Sequence, residues 1–317
     1  MFRASPMKQA LAAAGLAVTL AACGTTGTVP SKAPATRVPA TRVPVTRVPA
    51  NVRTAPTRIA HTAAGTVGYR EVGAGSPLLL ITGFGASMDD WPPSFVDSLA
   101  DHHEVIVFDN AGVGRTAPAG SSSIAAMANQ TSDLISALHL HRPAVLGWSM
   151  GGMIAQALAV DHPTQVSRLV LAATQAGTGQ ALPVPATAAA QLASPNPVTV
   201  LGVLFPPDQT SAAGAYVTEI LRYQAFTRRR RRRRQARALP FSNGWRDRIP
   251  PGRQVGKLRV PTLVADGTLD RLDPTANDRL LAASVPGARL ILYPDAGHAF
   301  LFQDASSFIP AVERFLD

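Results

Sequence analysis

The chain contains a single cysteine, Cys23, which excludes an intramolecular disulfide framework and any metal site built from several cysteines. No aspartate or glutamate precedes Glu71, so the chain up to that point is purely cationic. The apolar stretch Leu11–Ala22 covers about a dozen residues, too few to cross a bilayer of roughly 30 Å at about 1.5 Å per residue. Charged residues make up only 16% of the 317, whereas 46% are apolar. That balance excludes a wholly disordered chain and suffices for one large α/β domain or two small ones.

Thirty Lys and Arg against 20 Asp and Glu give a formal charge of +10, which raises the question of a nucleic-acid or anionic-membrane partner. Arg3 and Lys8 lie in the first 22 residues, six more cations lie in residues 24–60, and Arg228–Arg234 is an unbroken run of seven. The remaining 15 basic groups face all 20 acidic ones, a balance of −5. The basicity belongs to attached segments, and charge gives the rest of the chain no argument for binding nucleic acid.

Residues 1–22 have the layout of an export signal: a cationic start, a short apolar stretch, then Leu20-Ala21-Ala22-Cys23-Gly24. This ending resembles the lipobox of bacterial lipoproteins. The resemblance implies cleavage just before Cys23, a diacylglyceryl group on its sulfur, and anchorage at the extracytoplasmic face of the cell envelope. An ordinary signal peptide with a chance cysteine is the other reading. Two or more acyl chains, at about 0.8 kcal/mol per buried CH₂, would hold the protein stably on a membrane. Residues 24–60 carry a five-residue repeat, Ala35–Pro39, Ala40–Pro44 and Val45–Pro49. Proline at every fifth position excludes a helix and a central strand and favours an extended chain. This segment is expected to be a tether, with its arginines either solvated or touching anionic lipid or wall polymer.

From about His61 short apolar runs alternate with helix-compatible stretches. Leu78–Thr82, Val105–Asp109, Ala144–Trp148, Arg168–Ala172, Thr262–Asp266 and Arg289–Tyr293 are predicted strands. Ser123–Leu140, Met150–Val160, Thr275–Ser284 and Ala305–Leu316 are predicted helices. Strands of about five residues separated by crossovers predict an α/β fold with a mainly parallel sheet covered by helices on both faces. Gly65–Val72 could add an antiparallel hairpin at one edge.

The strand Ala144–Trp148 runs into Gly147-Trp148-Ser149-Met150-Gly151, a G-x-S-x-G pattern. Such an elbow sets a serine on a strained turn between strand and helix, with its Oγ exposed. The start of the following helix adds positive potential where an oxyanion forms. Serine needs a base at neutral pH, and the base needs an orienting acid. Gly267-Thr268-Leu269-Asp270 follows one predicted strand, and Asp295-Ala296-Gly297-His298 follows another. Each group therefore lies just past the C-terminal end of a strand, where open α/β sheets form their sites. Asp270 is the expected acid, with Asp273 and Asp266 as alternatives. His298 is the best placed of the seven histidines.

The order Ser149, Asp270, His298, with the patterns G-x-x-D-x-x-x-P and G-H, resembles the α/β-hydrolase family over residues 65–317 apart from an insert. The resemblance implies a serine hydrolase that needs no metal or organic cofactor. It implies an oxyanion hole made by the backbone N–H groups of Met150 and Phe84. Where the family usually has His-Gly before that second donor, this chain has Thr82-Gly83. Asp109-Asn110-Ala111-Gly112-Val113-Gly114 matches another family loop in part and is read as structural.

Residues 174–255 occupy the place of the family's cap. The stretch contains a possible helix at Tyr216–Phe226 and the run Arg228–Arg234. Seven adjacent arginines repel each other and favour a solvated segment; attraction of acidic substrates or lipid head groups is the functional alternative. Phe205, Tyr216, Tyr223 and Phe226 of the cap, with Trp148 and Phe84, suggest an apolar acyl pocket or else plain core. The expected organisation is thus a signal at 1–22, an anchor and tether at 23–60, and a hydrolase domain at 61–317. The expected substrate is a small acyl ester or lactone; carbon–carbon and amide bonds remain open. A cofactor-free perhydrolase or haloperoxidase activity on the same triad and a non-catalytic surface lipoprotein are the alternatives.

Overall fold

The computed structural model describes residues 51–119, 123–176, 181–223 and 255–317. Cys23, most of the expected tether, Phe226 and Arg228–Arg234 lie outside the described residues.

Eight strands form one sheet: β1 (Arg58–Thr62), β2 (Gly65–Val72), β3 (Ser76–Ile81), β4 (His103–Phe108), β5 (Ala144–Trp148), β6 (Leu169–Ala172), β7 (Thr262–Gly267) and β8 (Arg289–Tyr293). Their spatial order is β1-β2-β4-β3-β5-β6-β7-β8. β2 runs antiparallel to both β1 and β4, and every other pairing is parallel. The expected antiparallel edge is therefore the hairpin β1–β2.

Side chains alternate across a strand, and here the alternation feeds two separate cores. Leu78, Leu80, Val105, Val107, Leu146, Val170 and Leu263 enter one. Their neighbours Leu79, Ile81, Ile106, Val145, Leu169, Leu171 and Val264 enter the other. Burial on both faces explains why these strands read as continuous apolar runs.

Helix α1 (Pro93–Ala100) covers the first core through Phe95, Val96 and Leu99. Helices α2 (Ile124–Ala137) and α3 (Met150–Asp161) cover the second through Ile124, Met127, Leu134, Ile154 and Leu158. Ser123 caps α2 by accepting the Ala126 N–H at 3.1 Å, as expected of a short hydroxyl side chain at that position.

Between β6 and β7 lie α4 (Ala186–Leu192), α5 (Pro197–Leu204) and α6 (Thr210–Leu221). Beyond β7 come α7 (Ala276–Ser284), α8 (Phe300–Gln303) and α9 (Ala305–Leu316). The helix expected over Tyr216–Phe226 thus starts earlier and ends at Leu221.

The folded body begins before residue 61, contrary to the expected boundary. The Asn51 side chain donates to Asp97 at 2.8 Å, the Val52 N–H donates to the same carboxylate at 2.7 Å, and Val52 is fully buried. Arg58–Thr62 then pairs with β2 along its length. Composition suggested a tether here because strand pairing supplies what this Thr- and Arg-rich sequence lacks in apolar pattern.

Of the two readings of the cap aromatics, plain core is the one that holds for Phe205, Tyr216 and Tyr223. Phe205, Tyr216 and Tyr223 are buried in the first core. The Tyr216 hydroxyl donates to the Asp90 carbonyl at 3.1 Å and that of Tyr223 to the Trp91 carbonyl at 2.8 Å. Arg70 lies 5.1 Å over the Tyr223 ring and pairs with Asp89 at 2.6 Å. These residues fasten the cap to the body, because buried hydroxyls must find acceptors and the body's loop carbonyls supply them.

Candidate active site

The turn between β5 and α3 is built around Ser149, whose φ of 58° and ψ of −123° are strained for a residue with a side chain. Its N–H donates to the Ala172 carbonyl of β6 at 2.8 Å, and its own carbonyl accepts the Thr174 hydroxyl at 2.8 Å. The glycines around it are dictated by space. A Cβ at Gly147 would sit 2.4 Å from the Gly151 carbonyl oxygen, one at Gly151 would sit 2.1 Å from that of Ile81, and one at Gly152 would sit 2.5 Å from Thr174. Helix and strands approach so closely that only hydrogen fits.

The Thr82–Gly85 turn after β3 lies against the serine. A Cβ built on Gly83 would be 3.2 Å from the Ser149 Cβ, which brings the Phe84 backbone to the serine's side. The loop is shaped without the family's usual histidine. The Asn110 amide donates to the Thr82 carbonyl at 2.9 Å and to its hydroxyl oxygen at 3.2 Å. Asp109 accepts the backbone N–H groups of Met88 and Arg115, each at 3.0 Å. The Asp109–Gly114 segment is therefore a staple between two loops, in keeping with its structural reading.

The expected base and acid meet. His298 Nδ1 and Asp270 Oδ2 are 2.6 Å apart, with the side chains 3% and 0% exposed. The other Asp270 oxygen accepts the Leu272 and Asp273 N–H groups at 2.7 and 2.9 Å. These bonds fix the carboxylate's rotation. The β7 and β8 loops are locked together, since Leu269 N–H donates to the Ala296 carbonyl at 2.8 Å. The cap joins them through the Ala299 N–H and the Leu204 carbonyl at 3.0 Å. Other histidines are engaged elsewhere: His103 with Glu313 at 2.9 Å and His162 with Asn129 at 2.8 Å.

A small pocket of about 50 Å³ opens beside these groups, lined by Ser149, His298 and Asp273. Its apolar wall comes from Phe84, Met150 and Met153 of the body, Leu272 of the acid loop, and Val184 and Leu192 of the cap. Trp148, expected in the pocket, is not in its lining. Its ring is buried against Trp91 and Phe302, and its indole N–H donates to the His298 carbonyl at 2.9 Å. It supports the histidine's backbone, because a strand residue next to the elbow points away from the turn's exposed side.

The side-chain hydrogen bonds of the two alternative acids go to groups other than His298. Asp266 accepts its neighbour Gly267's N–H at 2.7 Å, and Asp273 accepts the Asn277 amide at 2.6 Å. Both are nevertheless unusual. Burial, then the nearby Asp270, pushes the Asp266 carboxyl well above the ordinary range. The same two causes push Asp273 up to about 7. Burial, then the nearby Asp273, pushes Asp278 up to about 9. No ion pair among the described residues reaches these three. Sequence reading missed Asp278 and Asn277, whose position in the first turn of α7 resembles ordinary helix-start chemistry. It also missed Thr174, whose hydroxyl bonds the Ser149 carbonyl 25 positions away.

A model of the alpha/beta hydrolase fold matches residues 76–305. The chain is 31% identical over 247 residues to a poly(3-hydroxyalkanoate) depolymerase of Ectopseudomonas oleovorans, covering 76% of this chain and 84% of the relative. It is 29% identical over 265 residues to a Mycobacterium tuberculosis protein designated non-heme bromoperoxidase BpoC, covering 78% and 96%. Among solved structures it resembles the enol-lactonase from Burkholderia xenovorans LB400, with a TM-score of 0.65 at 25% identity over 82% of this chain and 99% of that one. Sheet order, elbow and family match converge: the chain belongs to the alpha/beta hydrolase fold family.

Proposed function

We propose that the protein is a serine hydrolase that cleaves carboxylic esters, lactones included, through an acyl-enzyme. The observation that carries this reading is the 2.6 Å bond from His298 Nδ1 to Asp270, with His298 sharing one pocket with the strained Ser149. Ser149 Oγ attacks the carbonyl carbon while His298 Nε2 takes the hydroxyl proton. Asp270 holds the imidazole's tautomer and offsets its positive charge. The Phe84 and Met150 N–H groups receive the negative oxygen. The intermediate collapses, His298 protonates the departing alcohol, and the acyl group stays on Ser149. Water, deprotonated by His298, then releases the acid and restores the serine. The relatives named for ester and lactone substrates support this chemistry.

The apolar pocket favours neutral acyl groups. A panel of chromogenic acyl esters of increasing chain length tests the reading: turnover of short chains is expected, and no turnover by folded protein would contradict it. The bromoperoxidase-named relative supports a second reading, perhydrolysis on the same three residues. Metal-free, peroxide-dependent halogenation exceeding ester turnover would favour it. Tethering through Cys23 is part of the proposal and rests on the lipobox-like sequence. Cys23→Ser should move the protein from the membrane fraction to the soluble one; retention without acylation would refute the anchor.

A further inference from the structure

Asp273 takes no part in the proposed chemistry, yet it lines the same pocket as Ser149 and His298. Apart from His298 it is the only ionisable side chain among the described residues of a lining otherwise dominated by apolar groups. It is 3% exposed. One carboxyl oxygen accepts the Asn277 amide at 2.6 Å, and the other is buried with no hydrogen-bond partner among the described residues. Asn277 is itself immobilised, since its side chain donates to the Leu182 carbonyl at 2.9 Å and accepts the Leu182 N–H at 2.6 Å. The carboxyl is thus held in one rotation by a residue that also grips the start of the cap. A buried polar atom left unpaired costs free energy. Asp273 lines the pocket, where a substrate group would complete it.

We infer that Asp273 is a specificity-determining residue that selects ester substrates carrying a hydroxyl group near the scissile carbonyl, and that it disfavours acyl groups bearing a carboxylate. The inference rests on the proposed esterase reading. A hydroxyl both donates and accepts, so it satisfies the free oxygen whether Asp273 is ionised or protonated. An alkyl group leaves that oxygen unpaired, and sites built for a hydroxyl discriminate strongly against analogues that lack it. A second carboxylate would meet a site already crowded with acids: Asp270 and Asp273 on the β7–α7 loop, Asp266 on β7 and Asp278 on α7, with His298 the facing base. Burial and the nearby Asp270 push the Asp273 carboxyl up to about 7, so exclusion of anionic acyl groups should strengthen as pH rises through that value.

The experiment compares full-length wild type, Asp273→Leu and Asp273→Asn on 3-hydroxybutyryl, butyryl and hemisuccinyl esters of one chromogenic alcohol, from pH 5.5 to 8.5. The readout is the ratio of kcat/KM values, with folding monitored by Tm. Wild type should prefer hydroxybutyryl over butyryl by about tenfold or more, and Asp273→Leu should bring that ratio close to one. Asp273→Asn, which keeps a polar group for both Asn277 and a substrate hydroxyl, should retain the preference. It should also flatten the fall of the hemisuccinyl-to-butyryl ratio with rising pH. A wild-type ratio near one, or a ratio unmoved in Asp273→Leu, would overturn the inference while leaving the esterase reading intact. Absence of turnover of all three esters by folded wild type would overturn both.

Discussion

The β5–α3 elbow and the β7–α7 acid loop lie on the same edge of the sheet and serve one pocket, but they are built by opposite means. The elbow is a matter of backbone and space. Its serine is strained, and glycines at 147, 151 and 152 admit neighbours that any side chain would push away. The acid loop is a matter of buried charge. Asp266, Asp270, Asp273 and Asp278 crowd together, and three of them are held well above their ordinary carboxyl range by burial and by each other. One region contributes geometry that cannot be adjusted by pH. The other gathers carboxyls whose ionisation is opposed by burial and by one another.

The largest effect should come from removing the acid that orients the base. Asp270→Asn should lower kcat/KM on an acyl ester by about 10³- to 10⁴-fold, because the amide stabilises the wrong tautomer. A loss concentrated in Asp273→Asn instead would show that the two acids have been assigned the wrong way round. Breaking the elbow should cost less in chemistry and more in structure. Gly151→Ala places a Cβ about 2.1 Å from the Ile81 carbonyl oxygen, so the turn must shift. Overpacking of this kind costs about 1–3 kcal/mol. Activity should fall by about 100-fold, since displacements of about 1 Å at a site have effects of that size, and Tm should fall as well. Gly202→Ala, at a position with open space around it, is the control.

The smallest effect should be on stability against pH. The folded-state values of Asp273, about 7, and Asp278, about 9, lie above the ordinary 3.8. The folded protein therefore binds more protons than the unfolded chain between these values. The stabilisation is complete below about pH 4 and is lost as pH rises through about 7 and 9. Wild type should show this contribution as a Tm that declines from pH 5 to pH 9. Asp278→Asn, which removes one ionisable member and keeps a side chain of the same shape, should flatten the decline. An unchanged slope would show that the cluster ionises no differently when folded.

The contrast also explains what could be read in advance. The elbow is encoded within Gly147–Gly152, so its chemistry is visible in a short window of sequence. The five-residue strands were equally legible, because burial on both faces leaves an unbroken apolar run. Asp270 and His298 were found because each follows a strand end. The acid cluster was not legible as a cluster. Asp266 ends a strand, Asp278 starts a helix, and only the packing of α7 on β7 makes them neighbours. Trp148 misled for the same reason, since its hydrogen bond to His298 spans 150 positions in sequence. The start of the body was missed because Val52 and β1 are held by Asp97 and β2, contacts that local composition does not register.

The central claim is that Ser149 is the activated nucleophile. It is tested most directly by treating wild type and Ser149→Ala with a fluorophosphonate probe and locating the adduct by peptide mass spectrometry. The account predicts a single phosphonylated serine at position 149 in wild type and no labelling in the variant. Equal labelling of the two proteins, or an unlabelled but folded wild type, would contradict it.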